Sequence, residues 1–384
     1  MNGVKIEKAM VYKRRTIFRD IIISFIVIIV SFGCRMHTTA LRESCPCVQK
    51  EEDAKEAWTF VSFPDFFNFD VPNFWPGWDS AVDWYLGQVK SENPDFVLIA
   101  GDLVNGHWWD SPKCVEQMAA LYYTGWIRRM RQYNLKYYVA VGDHELGDDP
   151  WPKEKLELVP HFERSFAQHL AMPDNGPPGK KGLAYYVLHN NILLITIETF
   201  EVQDGRMHTN VLGEQLDWLK KVLTEHKDVA HIIVQGHIPV FGPAKSRSSS
   251  ELMIEGGKES EFWQVMKEAG VDLYLCGEFH AVTVCESDGI WQIVHGSSWG
   301  REVVNTQDYL VCRVYPDRLH IEMKSFPMEA EGDYMWNLNK DKGPNEIVEF
   351  PKQTRREGPK TTGTLIIQKS KSGKQFLGRT GIFQ

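Results

Sequence analysis

Four apolar runs along the chain stop in the same way. Residues 95–100, opened by Asn93-Pro94, lead into Gly101-Asp102; residues 137–141 lead into Gly142-Asp143-His144-Glu145; residues 231–235 lead into Gly236-His237-Ile238-Pro239; and residues 271–276 lead into Gly277-Glu278-Phe279-His280. Short continuous apolar runs bounded by turn residues predict strands buried on both faces. Open α/β sheets keep their binding crevice at the C-terminal ends of such strands. Each glycine is expected to let the chain turn sharply at the strand tip, so that the Asp, Glu or His after it points into one shared crevice. A shorter strand over 58–63 runs into Pro64-Asp65-Phe66-Phe67.

Between these strands the text turns helical over 79–89, 114–131 and from Leu212, and it closes with strands over 292–295, 309–315 and 319–324. Alternating strands and helices, with strands bunched near the end, predict an α/β fold of two facing mixed β-sheets flanked by helices. Residues 148–182, rich in Pro, Gly and charge, read as an irregular insertion at the rim. The loop His107-Trp108-Trp109-Asp110 is open to two readings, a substrate wall or a local packing cluster. For His107 substrate contact is the preferred reading, since an imidazole gains little from an apolar role.

Both ends of the chain differ from this middle. In residues 1–33, Lys5, Lys8, Lys13, Arg14, Arg15 and Arg19 precede an apolar run over 21–32. That run is short for a membrane span and suits a signal-peptide core, so export is expected, with a membrane anchor as the alternative. Ser31-Phe32-Gly33-Cys34 is similar to a bacterial lipoprotein cleavage site and makes Cys34 a candidate for acylation. Residues 34–56 read as a linker, 57–325 as the main domain and 326–384 as an extension with a basic tail. Residues 351–384 carry a local charge of +7 within a chain of net −8, which leaves about −15 elsewhere. Residues 364–368 and 375–378 around Lys371-Ser372-Gly373 could make a small hairpin; a solvated tail is the preferred reading there, with contact to anionic lipid or polysaccharide as the minority one. The overall acidity argues against nucleic-acid binding.

The residues gathered at the strand tips are oxygen and imidazole donors, which hold divalent ions without thiolate. In order and spacing they resemble the motifs D-x-H, G-D, G-N-H-E, G-H and G-H-x-H of the calcineurin-like metallophosphoesterases. That resemblance covers roughly residues 57–325 and extends to Leu212-Gly213-Glu214-Gln215-Leu216-Asp217-Trp218-Leu219, which is similar to the helix before the fourth motif. It implies hydrolysis of a phosphoester by a metal-bound hydroxide, with a small-molecule, lipid or nucleotide ester as substrate. It implies further that Asp102 bridges two ions, that Asp65 and His280 complete one site, and that Asp143, His237 and Glu278 complete the other. His144 would orient the phosphate and protonate the leaving group, Glu145 would brace the loop, and His107 and Asn105 would touch substrate. Three departures stand out: Phe67 replaces a histidine ligand, Asp143 an asparagine and Glu278 a histidine. The added carboxylates favour Mn, Mg or Fe(II) over Zn, and the loss at Phe67 leaves either two ions or a single one. Charge on the site then favours phosphodiesters over monoesters. A fold kept as an exported binding or structural module is the competing reading.

Overall fold

The computed structural model describes residues 57–63, 65, 78–104, 106–242, 250–296, 306–327, 329–331, 347–349, 352–370 and 373–384. The expected export segment and linker lie outside the described residues, as do Phe67 and Asn105. Among the described residues no helix is long and apolar enough to cross a membrane.

Two mixed sheets form the centre. In the first, β1 (Trp58–Phe63), β2 (Phe96–Ile99) and β3 (Tyr137–Val139) run parallel. In the second, β4 (Tyr185–His189) lies antiparallel on β5 (Ile192–Thr196), which runs parallel to β8 (His231–Gln235) and β9 (Leu273–Cys276). The antiparallel pair β6 (Phe200–Gln203) and β7 (Arg206–Thr209) forms a separate ribbon. The second sheet is completed by β10 (Val282–Ser287) and β11 (Ile290–His295), in the order β10-β11-β9-β8-β5-β4. The first gains β12 (Thr306–Val314) and β13 (Arg318–Pro327) on the other side of β1. A second small ribbon pairs β14 (Glu329–Glu331) with β15 (Ile347–Glu349).

The apolar runs are continuous because both faces of each central strand are covered. Phe96 and Leu98 of β2 and Ile192 and Leu194 of β5 point into the layer between the sheets, where they meet Ile233, Leu273, Leu310 and Ile321. Their neighbours Val97, Ile99, Leu193 and Ile195 point outwards beneath the helices. Those helices are α1 (Trp78–Ser91), α2 (Pro112–Gln132), α3 (Lys153–Leu156), α4 (Val159–Leu170), α5 (Gly213–Glu225) and α6 (Glu261–Glu268). The fold is therefore the expected pair of facing mixed sheets flanked by helices.

Two expectations change. The insertion over 148–182 is not irregular throughout, because α4 sets Val159, Phe162, Phe166 and Leu170 at helical spacing and buries them all. The basic end is not a solvated tail. After a short helix, α7 (Lys352–Glu357), β16 (Lys360–Ser370) and β17 (Gly373–Gly381) form a hairpin that extends the first sheet from β13, with Leu365, Ile367 and Phe383 fully buried. The sheet thus runs on past residue 325, since β13 itself continues to Pro327 and carries β16 on its free edge.

Some of the basic residues that suggested a tail have acidic partners. Lys369 and Lys374 approach the fully buried Asp272 at 2.7 and 3.0 Å, and Lys374 also donates to the carbonyls of Val271 and Gly289. The same carboxylate accepts the Ile232 amide at 2.9 Å, so it fastens the hairpin to the second sheet. Burial alone would raise its pKa, but His231 and the two lysines outweigh that and hold it at about 2. A depressed carboxylate contributes stability that is fully present above its unfolded value near 4 and is lost as pH falls towards 2. Asp272→Asn should therefore lower stability at pH 7 by about 3 kcal/mol and flatten the acid limb between pH 4 and 2 in thermal unfolding. A Tm and an acid limb identical to wild type would refute the clamp.

Candidate metal centre

The C-terminal tips of β1, β2, β3, β8 and β9 face one crevice, and the structure brings all six expected ligands together there. Asp65, Asp102 and His280 place ligand atoms within 4.8 Å of one another, as do Asp143, His237 and Glu278. Asp102 also groups with Asp143 and His144, so it sits between the two sets. All four carboxylates are buried, between 0 and 2 % exposed, and His237 is fully buried. Among the described residues the basic groups within 4 Å of these carboxylates are imidazoles: His280 beside Asp65, His144 and His237 beside Asp102, and His237 beside Asp143 and Glu278.

The glycines have a different task from the one expected. Of the four, only Gly101 has a left-handed φ, at +115°. The turn itself falls on two of the candidate ligands, Asp102 at φ +54° and Glu278 at +70°, a strained conformation for such residues. The glycines instead supply room for side chains from other strands. A Cβ at Gly142 would collide with the Asp102 carboxylate, one at Gly277 with that of Asp65, and one at Gly101 with the His237 ring. Each tip thus cradles a side chain carried by another strand.

Glu145 holds this arrangement rigid. Its carboxylate accepts the amides of Asp102, Leu103, Val104 and Gly142 at 2.7 to 3.3 Å, tying the tip of β2 to that of β3. His237 is oriented in a similar way: Nδ1 bonds the Ala100 carbonyl at 2.9 Å, which turns Nε2 towards the carboxylates.

This donor set fits a divalent cation. Both Asp65 oxygens, Asp143 Oδ1 and His237 Nε2 are buried and make no hydrogen bond, although the last two are only 3.0 Å apart. Burial pushes the Asp65, Asp102 and Glu278 carboxyls above their usual range. Asp143 shows the opposite: burial would raise it, but His144 and His237 pull it well below the ordinary value. Burial would lower His237, yet Asp102 and the other carboxylates hold it well above the usual imidazole range. Among the described residues only imidazoles bring positive charge within 4 Å, and a buried cluster of four carboxylates calls for more. Carboxylate and imidazole donors without thiolate are a ligand set for divalent cations.

His144 and His107 stand on the open side. His144 donates its amide to Asp102 Oδ1 at 3.2 Å, and its Nε2 lies 3.9 Å from both Asp102 and Asp148. His107 Nε2 bonds Asp148 Oδ2 at 2.6 Å, with its ring 5.7 Å from that of His144. Asp148 was missed in the sequence, although it closes the run Gly142-Asp143-His144-Glu145-Leu146-Gly147-Asp148. Two other histidines, His189 and His295, lie elsewhere, on Asp95 and on the Cys276 carbonyl. The cysteines among the described residues, Cys114, Cys276, Cys285 and Cys312, form no disulfide.

The profile of the family described as calcineurin-like phosphoesterase matches residues 65–282. No curated protein sequence matches the chain. Among solved structures, GAP50, the anchor in the inner membrane complex of Plasmodium, is 16% identical with a TM-score of 0.44, over 71% of this chain and 85% of that one. The 5'-nucleotidase from Candida albicans is 16% identical with a TM-score of 0.37, over 66% of this chain and 48% of that one. Vps29 from Entamoeba histolytica, complexed with zinc, is 10% identical with a TM-score of 0.33, over 70% of this chain and 92% of that one. Since the matched profile spans more than half of the chain and ends on the strand tips just described, the chain belongs to the calcineurin-like phosphoesterase family.

Proposed function

We propose that this chain hydrolyses a phosphoester at two divalent ions, and that it favours diesters over monoesters. The observation that carries the reading is the pair of buried donor groups, Asp65-Asp102-His280 and Asp143-His237-Glu278, meeting at Asp102. Asp65, Asp102 and His280 would hold one ion and Asp143, His237 and Glu278 the other, with Asp102 shared. When bound, the ions supply charge neutralisation on the phosphoryl oxygens and lower the pKa of the attacking water. The side chains do the rest. Glu145 fixes Asp102 and the β3 tip so that the donor geometry does not relax when substrate arrives. His144, beside the donors and partly open, hands its proton to the departing alkoxide. Asp148, 3.9 Å from His144 and bonded to His107, keeps that imidazole oriented.

The diester preference follows from charge. Relative to its family this site has extra carboxylates at Asp143 and Glu278, so little net positive charge faces the substrate. A monoester near neutral pH brings close to two negative charges and a diester one, so the monoester loses more attraction. The competing reading, a binding module that kept the fold, is favoured by Phe67, which removes one ligand. On sequence grounds the protein is exported, with residues 1–33 directing it to the cell envelope and Cys34 as the acylation candidate.

Three outcomes are expected. Asp102→Ala and His237→Ala should each lose bound metal by elemental analysis, and Glu145→Gln should weaken metal affinity about 10- to 100-fold; wild-type stoichiometry in both alanine variants would reject the ligand assignment. With manganese, wild type should prefer a matched aryl diester to the monoester, and Asp143→Asn should move kcat/KM towards the monoester by about tenfold or more, since one charge about 5 Å away at an effective dielectric of about 20 is worth about 3 kcal/mol. A shift in the opposite direction would show that pocket shape governs substrate choice. Intact-mass analysis of protein from its native membrane should find a chain beginning near Cys34, and a full-length chain in the cytosol would defeat the export reading.

A further inference from the structure

The two tryptophans of the loop after β2 have separate fates. Trp108 is 4 % exposed and stacks on Tyr122, with ring centroids 5.2 Å apart, so it is a packing residue. Trp109 is 39 % exposed and lines a cavity of about 410 Å³, together with Pro150, Pro152 and Lys155. That volume lies within the range of small-molecule sites, about 300 to 1,000 Å³. Its remaining wall is made by His107, Asp148 and Asp149, and His107 and Asp148 are the residues that flank His144. The cavity therefore opens beside the imidazole placed to protonate the leaving group.

We propose that this cavity is the leaving-group subsite, and that it selects phosphoesters whose departing alcohol carries a flat, uncharged heteroaromatic ring, as a nucleoside does. The inference rests on the hydrolytic reading above. An indole and two pyrrolidine rings offer flat apolar surface to a ring, and base stacking on an aromatic side chain tolerates any base because each has a π-face. The indole is held in place: Lys155 donates to the Asp148 carbonyl at 2.5 Å and lies 5.1 Å from the Trp109 ring centroid. One oxygen of Asp148 is bonded to His107 and one of Asp149 to Ser250; the other oxygens are left to accept from an exocyclic amino group, and the two carboxylates repel any further phosphate, so the ring-bearing alcohol must be uncharged. An acyl chain would need a closed apolar tunnel, whereas this cavity is open and rimmed with charge.

The test uses two diesters that each release a primary sugar 5-alkoxide and leave methyl phosphate behind, the methyl phosphodiesters of adenosine 5'-phosphate and of ribose 5-phosphate, with release of free adenosine or ribose followed in the manganese-loaded protein. Adenosine and ribose are titrated alongside by calorimetry. Wild type should favour the adenosine ester in kcat/KM by about tenfold or more and bind adenosine but not ribose. Trp109→Ala should bring that ratio close to one and abolish adenosine binding, and Trp109→Phe should restore most of both. Equal turnover of the two esters by wild type, a preference for the ribose ester, or an adenosine preference that survives Trp109→Ala would overturn the subsite while leaving phosphoester hydrolysis intact. Adenosine binding that depends on Trp109, with neither ester hydrolysed, would keep the ring site and overturn the hydrolytic reading.

Discussion

Four carboxylates buried together cannot all be ionised unless positive charge joins them, and much of this architecture serves to create and then satisfy that condition. Parallel strands from both sheets end on one crevice, so acidic side chains from residues far apart in sequence are forced within a few ångströms. Gly101, Gly142 and Gly277 beside them leave room for a neighbour's carboxylate or imidazole. Glu145, spending its whole carboxylate on backbone amides of two strand tips, prevents the cluster from relieving its repulsion by spreading. A centre braced against spreading holds its donors ready for a cation.

The open side is built on another principle. On the outer side of His144 lie more exposed groups: Asp148, His107 and, beyond them, the Trp109 cavity. Carboxylates dominate where the ions would sit, whereas the outer cavity mixes charge of both signs with Trp109 and two prolines. On the proposed reading, the buried half bears on how much charge a substrate carries and the outer cavity on which alcohol it carries.

Much of this was legible in the sequence because strand tips leave a local signature: an apolar run, a glycine, then a donor. The six candidate ligands and the brace at Glu145 each lie within a few residues of such a tip. What the sequence concealed was governed by distance. That Gly142 makes room for Asp102 and Gly277 for Asp65 depends on strands meeting across the crevice. Trp108 and Trp109 are neighbours of one type in one loop, and only packing against Tyr122 separates a buried from a working indole. The basic end suggested a solvated tail because Lys369 and Lys374 look like surface charge until Asp272 is placed beneath them. Helix α4 was visible in the spacing of Val159, Phe162, Phe166 and Leu170, but the prolines and glycines around it drew the reading towards loop.

The position of β1 sets an order of events. It carries Asp65 at its tip and lies between β2, parallel and close in sequence, and β12, antiparallel and distant, with Ser62 opposite Leu310. Until β12 docks, β1 has a partner on one side only, and pairings that join such distant segments form late and slowly. Asp65 therefore reaches its place over Gly277 after the strands carrying Asp102, Asp143, His237 and Glu278 have all been synthesised. A full complement of donors is then a property of the finished fold, drawn from strands that span most of the chain.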